Sequence, residues 1–250
     1  MSLIERLRTV RGVVRSLRIY YGSRSRRQDM ERFYALFIRP GDLAFDIGAH
    51  VGDRTAAFRR LGAKVIAVEP QPALTKTLRL LHGRDHMVLV EPFAIGPSEG
   101  SARLNLNLDN PTVSTASNAF TLAARDAKGW EGQVWGKVID VPMTTLDALI
   151  ERHGTPSFIK IDVEGFEAAA LAGLTKPVAA LSFEFTTMQR DVAIACLERC
   201  EALGYGHFNA ALGESQTLTH AVWQTPAAIR TWLRDLPDEA NSGDVYARLL

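Results

Sequence analysis

Three short apolar runs in this chain each stop at an acid beside glycine or proline. They are Leu43-Ala44-Phe45-Asp46-Ile47-Gly48-Ala49-His50-Val51-Gly52, Val65-Ile66-Ala67-Val68-Glu69-Pro70 and Ile159-Lys160-Ile161-Asp162-Val163-Glu164-Gly165. Such runs are expected where parallel strands reach the ligand-binding edge of an open α/β sheet. Helical stretches near Thr55–Leu61 and Pro72–Leu81 separate strands expected at Leu43–Ile47, Lys64–Val68 and Met87–Val90, which makes a βαβαβ half. Strand signals return at Val138–Val141, Phe158–Ile161 and Ala180–Phe185, with helices near Leu146–Arg152, Phe166–Ala172 and Val192–Leu203. Tyr205–Leu212 and Val245–Leu249 can complete the sheet. Between the halves, Ala102, Leu104, Leu106 and Leu108 alternate with polar residues, as in a half-exposed strand. Residues 109–136 read as an irregular surface insertion whose Trp130 and Trp135 suit either a lid or acceptor wall or the packing of a hairpin.

A chain of 250 residues, 46% hydrophobic, fits one large α/β domain better than two complete ones. Its net charge of +1 gives no overall case for nucleic acid binding. No apolar run approaches the roughly 18 residues of a transmembrane segment, and the N-terminus lacks a signal-peptide core. A soluble, cytoplasmic protein is therefore expected. Cys196 and Cys200, four apart in a helical pattern, read as core residues.

Charge is concentrated at the start. Residues 1–40 form a basic helical arm, with Arg6, Arg8, Arg11, Arg15, Arg18, Arg24, Arg26, Arg27 and Arg32 against Glu5, Asp29 and Glu31, ahead of the domain at 41–250. Leu3, Leu7, Val10, Val14, Leu17 and Tyr21 share one helical stripe. That stripe is expected to pack on the protein's own core or on a second subunit in a homo-oligomer; an anionic membrane surface also fits a basic amphipathic helix.

The first loop suits a nucleoside-containing cofactor. Gly48 and Gly52 permit a tight turn, and the helix that follows presents free N–H groups to an anion. Glu69, at the end of the next strand, can accept hydrogen bonds from ribose hydroxyls and would repel the 2′-phosphate of NADP. Asp46 suits the ammonium of S-adenosylmethionine but adds nothing for a pyrophosphate. The glycine spacing also departs from the dinucleotide fingerprint. At the opposite strand end, Asp162 and Glu164 are candidate general bases, Lys160 can steer an anionic acceptor or depress a carboxylate pKa, and Glu184 can reach the same cleft. Glu164 could instead cap the following helix, and Lys160 could serve only in a salt bridge. Thr145 and Asp147 read as a helix start. Acids alone are compatible with metal-free base catalysis, so no metal is expected.

Phe45-Asp46-Ile47-Gly48-Ala49-His50-Val51-Gly52, Val68-Glu69-Pro70, Thr145-Leu146-Asp147 and Ile159–Glu167 together resemble the FkbM family of methyltransferases over about residues 40–185. The resemblance implies an S-adenosylmethionine-dependent class I fold, Rossmann-like, with a seven-stranded, mostly parallel sheet, flanking helices and an antiparallel strand near the end. It also implies O-methyl transfer. The leading reading of function is methylation of a hydroxyl on a sugar, glycan precursor or secondary metabolite. His50 stands where the family often has asparagine, which bears on its place among the cofactor contacts. The alternatives are an NAD-dependent oxidoreductase and a non-catalytic nucleoside-binding scaffold.

Overall fold

The computed structural model describes residues 2–249. Helix α1 (Leu3–Tyr21) starts from a capping box in which Ser2 and Glu5 each bond the other's backbone N–H. Ser23 caps α2 (Arg24–Tyr34). Then follow β1 (Leu43–Ile47), α3 (Asp53–Arg60), β2 (Lys64–Val68), α4 (Pro72–His82), β3 (Val88–Glu91), the short β4 (Ala94–Ile95) and β5 (Gly100–Leu106). Next come α5 (Asn118–Asp126), β6 (Lys137–Thr144), α6 (Leu146–His153), β7 (Phe158–Ile161), α7 (Glu167–Ala172) and β8 (Ala180–Thr186). The chain ends with α8 (Arg190–Ala202), β9 (His207–Leu212), α9 (Pro226–Asp235) and β10 (Ser242–Arg248).

Seven strands form the main sheet in the order β3-β2-β1-β7-β8-β10-β9. All of its pairings are parallel except those of β10, which runs antiparallel to both β8 and β9. This is the Rossmann-like class I methyltransferase sheet that the motifs imply. The register brings Asp46 level with Lys160, and Glu184 level with Asp244. One face of the sheet packs on α6, α7, α8 and α9 through residues such as Leu149, Leu171, Leu197 and Ile229, with Cys196 and Cys200 fully buried there. On the other face, Met30, Phe33 and Tyr34 of α2 join Phe58 of α3 and Phe158. No helix among the described residues is long and apolar enough to cross a membrane.

Three regions depart from the sequence reading. The strand expected at Val138–Val141 is part of β6, which joins a separate three-stranded sheet in the order β4-β6-β5. The insertion is not irregular throughout: Ser117 accepts the Phe120 N–H at 3.1 Å to start α5, and Phe120 and Ala124 are buried beneath it. In α1 the apolar stripe does not pack on this chain's own core. Leu3, Leu7, Val10 and Val14 are 73%, 57%, 59% and 39% exposed, while Gly12 and Ser16 are buried. Close approach selects that inner face, since a Cβ on Gly12 would lie 2.8 Å from both the Leu108 carbonyl oxygen and Pro111 Cδ.

Candidate functional site

The loop after β1 turns sharply because β7 lies beside it. The N–H groups of Gly48 and Ala49 both donate to the Val68 carbonyl, at 2.9 and 3.0 Å. Gly48 has φ 79°, and a Cβ there would fall 1.7 Å from the Asp162 carbonyl oxygen. Glycine is thus demanded by the neighbouring strand end, in addition to any ligand. Around this edge lies a cleft with about 930 Å³ of empty space, part of it open to solvent. Asp46, Gly48, His50 and Glu69 line one part of it, and Lys160, Asp162, Glu164 and Glu184 another. Gly52 is the exception among the expected site residues. It lies outside the lining, at the N-cap of α3, where it faces Leu78 and His82 of α4.

Burial sets the charge of the first group. Asp46 accepts the Thr55 hydroxyl at 2.5 Å, yet desolvation raises its pKa to about 6. Glu69 accepts the N–H groups of Gln71 and His50 at 2.8 and 2.9 Å; desolvation outweighs these bonds and lifts it to about 8. His50 meets the Tyr20 ring edge-on at 5.2 Å, and burial lowers its pKa to about 4, so the imidazole is neutral at pH 7.

The second group is a cluster of acids around one buried cation. Lys160, 1% exposed, donates to Asp244 at 2.6 Å and to Asp162 at 3.0 Å. Burial alone would lower the lysine pKa, but these two carboxylates overcome it and hold the ammonium charged. Burial likewise works against ionised Asp162, and Lys160 and Arg54 outweigh it, keeping this carboxyl below its ordinary value. Glu164 and Glu184 have no such partner. Desolvation, reinforced by the Asp162 charge, drives both well above the usual carboxylate range. Among the described residues no side chain caps α7; Glu167, its first residue, reaches back to accept the N–H groups of Val163 and Gly165 in the preceding loop at 2.9 and 3.2 Å. That leaves Glu164, at φ 55°, to line the cleft while Thr115 donates to its carbonyl at 2.6 Å. One oxygen each from Asp162, Glu164 and Glu184 lie within 4.8 Å of one another, a spacing that an oxygen-liganded divalent cation could bridge.

The arm and the insertion add residues that no strand-end motif reveals. Tyr20 lines the cleft, with the Arg26 guanidinium 4.8 Å and that of Arg54 5.9 Å from its ring centre. Arg54 is held by Asp53 at 2.7 Å and by both oxygens of Glu214 at 2.7 Å. Thr112 and Ser114 of the insertion complete the wall. Trp130 and Trp135, expected at that wall, stand behind it instead. Trp135 donates to the Val113 carbonyl at 2.7 Å and Trp130 to Asn241 at 3.0 Å, with Phe120 edge-on to both rings.

The sequence model of the methyltransferase FkbM domain matches residues 46–237. This chain belongs to the FkbM methyltransferase family. No curated protein matches it. Among solved structures it is similar to a precorrin-6y C5,15-methyltransferase from Geobacter metallireducens, at 11% identity over 90% of this chain and 87% of that one, with a TM-score of 0.42. A TehB-like SAM-dependent methyltransferase from Corynebacterium glutamicum gives 10% identity, 89% and 88% coverage, and 0.44. A SAM-dependent O-methyltransferase from Thermotoga maritima gives 11%, 89% and 65%, and 0.43. At these scores the likenesses carry no argument about the site.

Family membership makes S-adenosylmethionine the ligand to test against this FkbM cleft, and the donor set fits it. Asp46 offers a carboxylate to an ammonium, Glu69 has lone pairs left for ribose hydroxyls, and Phe93, Ala94 and Ile95 give apolar surface for a base. Arg54 and Lys160, the two cations of the lining, are each already bonded to two acids, so neither is spare for a pyrophosphate. A pH dependence follows. If Asp46 holds the ammonium as a carboxylate, affinity falls about tenfold for each pH unit below about 6 and levels off above it. Calorimetry at about pH 5 and about pH 7 measures this, and equal affinities would separate Asp46 from the ligand's cation.

Proposed function

We propose that this FkbM-family protein uses S-adenosylmethionine to methylate a hydroxyl oxygen on a sugar, glycan precursor or related small metabolite. The observation that carries the reading is the sorting of carboxyl groups at one end of the cleft. Lys160 favours the charged form of Asp162, while burial and the Asp162 charge favour the protonated forms of Glu164 and Glu184. When bound, S-adenosylmethionine supplies an electrophilic methyl group. Asp162 takes the hydroxyl proton. An oxygen forming a new bond to carbon grows acidic, so a carboxylate of low basicity suffices. In the protonated form that their burial favours, Glu164 and Glu184 can both donate and accept, which suits them to orient an acceptor's hydroxyls. Lys160 keeps Asp162 charged and in place, while Tyr20 and the Thr112–Ser114 segment shield the cleft from water.

No metal is needed in this scheme, because Lys160 already supplies the positive charge within the acid cluster. Turnover is expected to survive exhaustive chelation. Loss of turnover with a chelator, restored by magnesium, would transfer the role of Lys160 to a cation held by Asp162, Glu164 and Glu184. The function itself is tested by incubating the protein and S-adenosylmethionine with panels of hydroxylated metabolites and screening by mass spectrometry. The expected product is an acceptor heavier by one CH₂ whose new methyl is on oxygen. Methylation only at carbon or nitrogen would overturn the O-methyltransferase reading.

A further inference from the structure

We propose that the outer face of α1 docks on the surface of an anionic phospholipid bilayer. The helix carries three stripes. Its inner face, marked by Gly12, Ser16 and Tyr20, packs on the insertion and the cleft wall. Beside it runs an apolar stripe that nothing in the described chain covers: Leu3, Leu7, Val10 and Val14, with Tyr21 40% exposed at its end and Ile4 72% exposed at its margin. Large apolar side chains aligned on one helix face and left in water mark an interaction surface, unlike scattered single ones. The third stripe is basic. Arg8, Arg11, Arg15 and Arg18 each follow an apolar-stripe residue by one position, which places them about 100° further round the helix.

Charge chooses the occupant. Arg6, Arg11, Arg15 and Arg18 are exposed and, among the described residues, have no acid at ion-pair distance. The single acid of α1, Glu5, bonds Lys137 and the Ser2 N–H on the packed side, and Arg8 pairs with Asp109. A second copy seated on the apolar stripe would bring two rows of arginines together, with the one acid of each helix already bonded on its packed side. A nucleic acid would answer the arginines but leave the leucines and valines in water. An anionic bilayer answers both, since acyl chains receive the apolar stripe while lipid phosphates meet the flanking guanidinium groups. Shallow insertion of one stripe is enough, and no crossing of the membrane is involved.

The test is co-sedimentation of the full chain with vesicles of phosphatidylcholine alone or with about one third phosphatidylglycerol. The expected partitioning is at least about tenfold stronger to the anionic vesicles, and it weakens as salt rises. Leu7→Ser with Val10→Ser should lower it about tenfold or more at every lipid composition, and Arg11→Gln with Arg15→Gln should abolish the anionic preference. All four positions are solvent-facing, so both variants should keep the parent melting temperature. Absence of binding to anionic vesicles, or binding unchanged in both variants, would overturn the proposal. A concentration-dependent dimer that Leu7→Ser with Val10→Ser abolishes, without vesicle binding, would assign the stripe to a second copy. Tighter binding to duplex DNA than to anionic vesicles would assign the arginines to nucleic acid.

Discussion

Asp162→Asn is expected to lower kcat about 10²–10⁴-fold while S-adenosylmethionine binds with nearly unchanged affinity. Asparagine keeps the shape of the side chain but cannot take a proton, and Lys160 retains Asp244 at 2.6 Å, so the strand end stays in place. Glu164→Gln should behave differently. Burial and the Asp162 charge favour the protonated form of Glu164, which a carboxamide imitates, so the loss should stay under about tenfold and appear mainly in the acceptor KM. Single-turnover kinetics with a verified acceptor decides between the two. If Glu164→Gln collapses kcat and Asp162→Asn does not, the assignment of base and orienting group is reversed. If neither variant changes kcat or KM, the acid cluster is structural.

The second large effect is on stability. Lys160→Met should destabilise the protein by about 3 kcal/mol, because removing the cation strands the carboxylate of buried Asp244 and leaves that of partly exposed Asp162 unpaired at the cleft. Adding Asp244→Asn should recover part of that loss, and denaturant unfolding of the single and double variants measures the coupling. The pH dependence has a definite sign. Asp162 is depressed in the folded state, so its contribution is complete above an unfolded value of about 3.9 and fades as pH falls through the folded pKa. Lys160 is raised, so its contribution is complete below about 10.4 and fades only as pH climbs through its folded pKa. Equal stability of Lys160→Met and the parent at neutral pH would show that the buried pair has no net worth. In the folded variant, loss of the lysine should also raise the Asp162 pKa and move the activity profile to higher pH.

The strand-end acids were legible because position within a parallel strand fixes where a side chain emerges. Asp46, Glu69, Asp162 and Glu184 each follow an apolar run and all reach one cleft. Gly48 was legible for the same reason, although the Asp162 carbonyl that demands it comes from a strand more than a hundred residues later. Partners brought together only by tertiary structure were not. Asp244 carries no local signal, and its bond to Lys160 exists because β10 enters antiparallel beside β8. Tyr20 and Arg54 look like parts of a basic arm and an ordinary helix until folding sets Tyr20 edge-on to His50 and brings Arg54 over the Tyr20 ring. Helical periodicity found α1 and its apolar stripe but not the face that packs within the chain, since Gly12 packs by closeness and periodicity counts only apolar bulk. The sequence reading places no helix at Pro226–Asp235, although Thr225 before Pro226 is a helix start signal; Thr225 accepts the Ala228 N–H at 3.3 Å.

The central claim is that the edge formed by β1, β2 and β7 is a site for S-adenosylmethionine, and equilibrium calorimetry of the full chain tests it most directly. S-adenosylmethionine and S-adenosylhomocysteine should each bind with one-to-one stoichiometry, and NAD should not bind. Asp46→Ala, checked for folding, should weaken binding by about 1.5–3 kcal/mol through loss of a charge-assisted contact, and Glu69→Ala by about 0.5–1.5 kcal/mol, since burial favours its neutral form. Binding of NAD in place of S-adenosylmethionine, or full S-adenosylmethionine affinity in both folded variants, would contradict the assignment of this cleft.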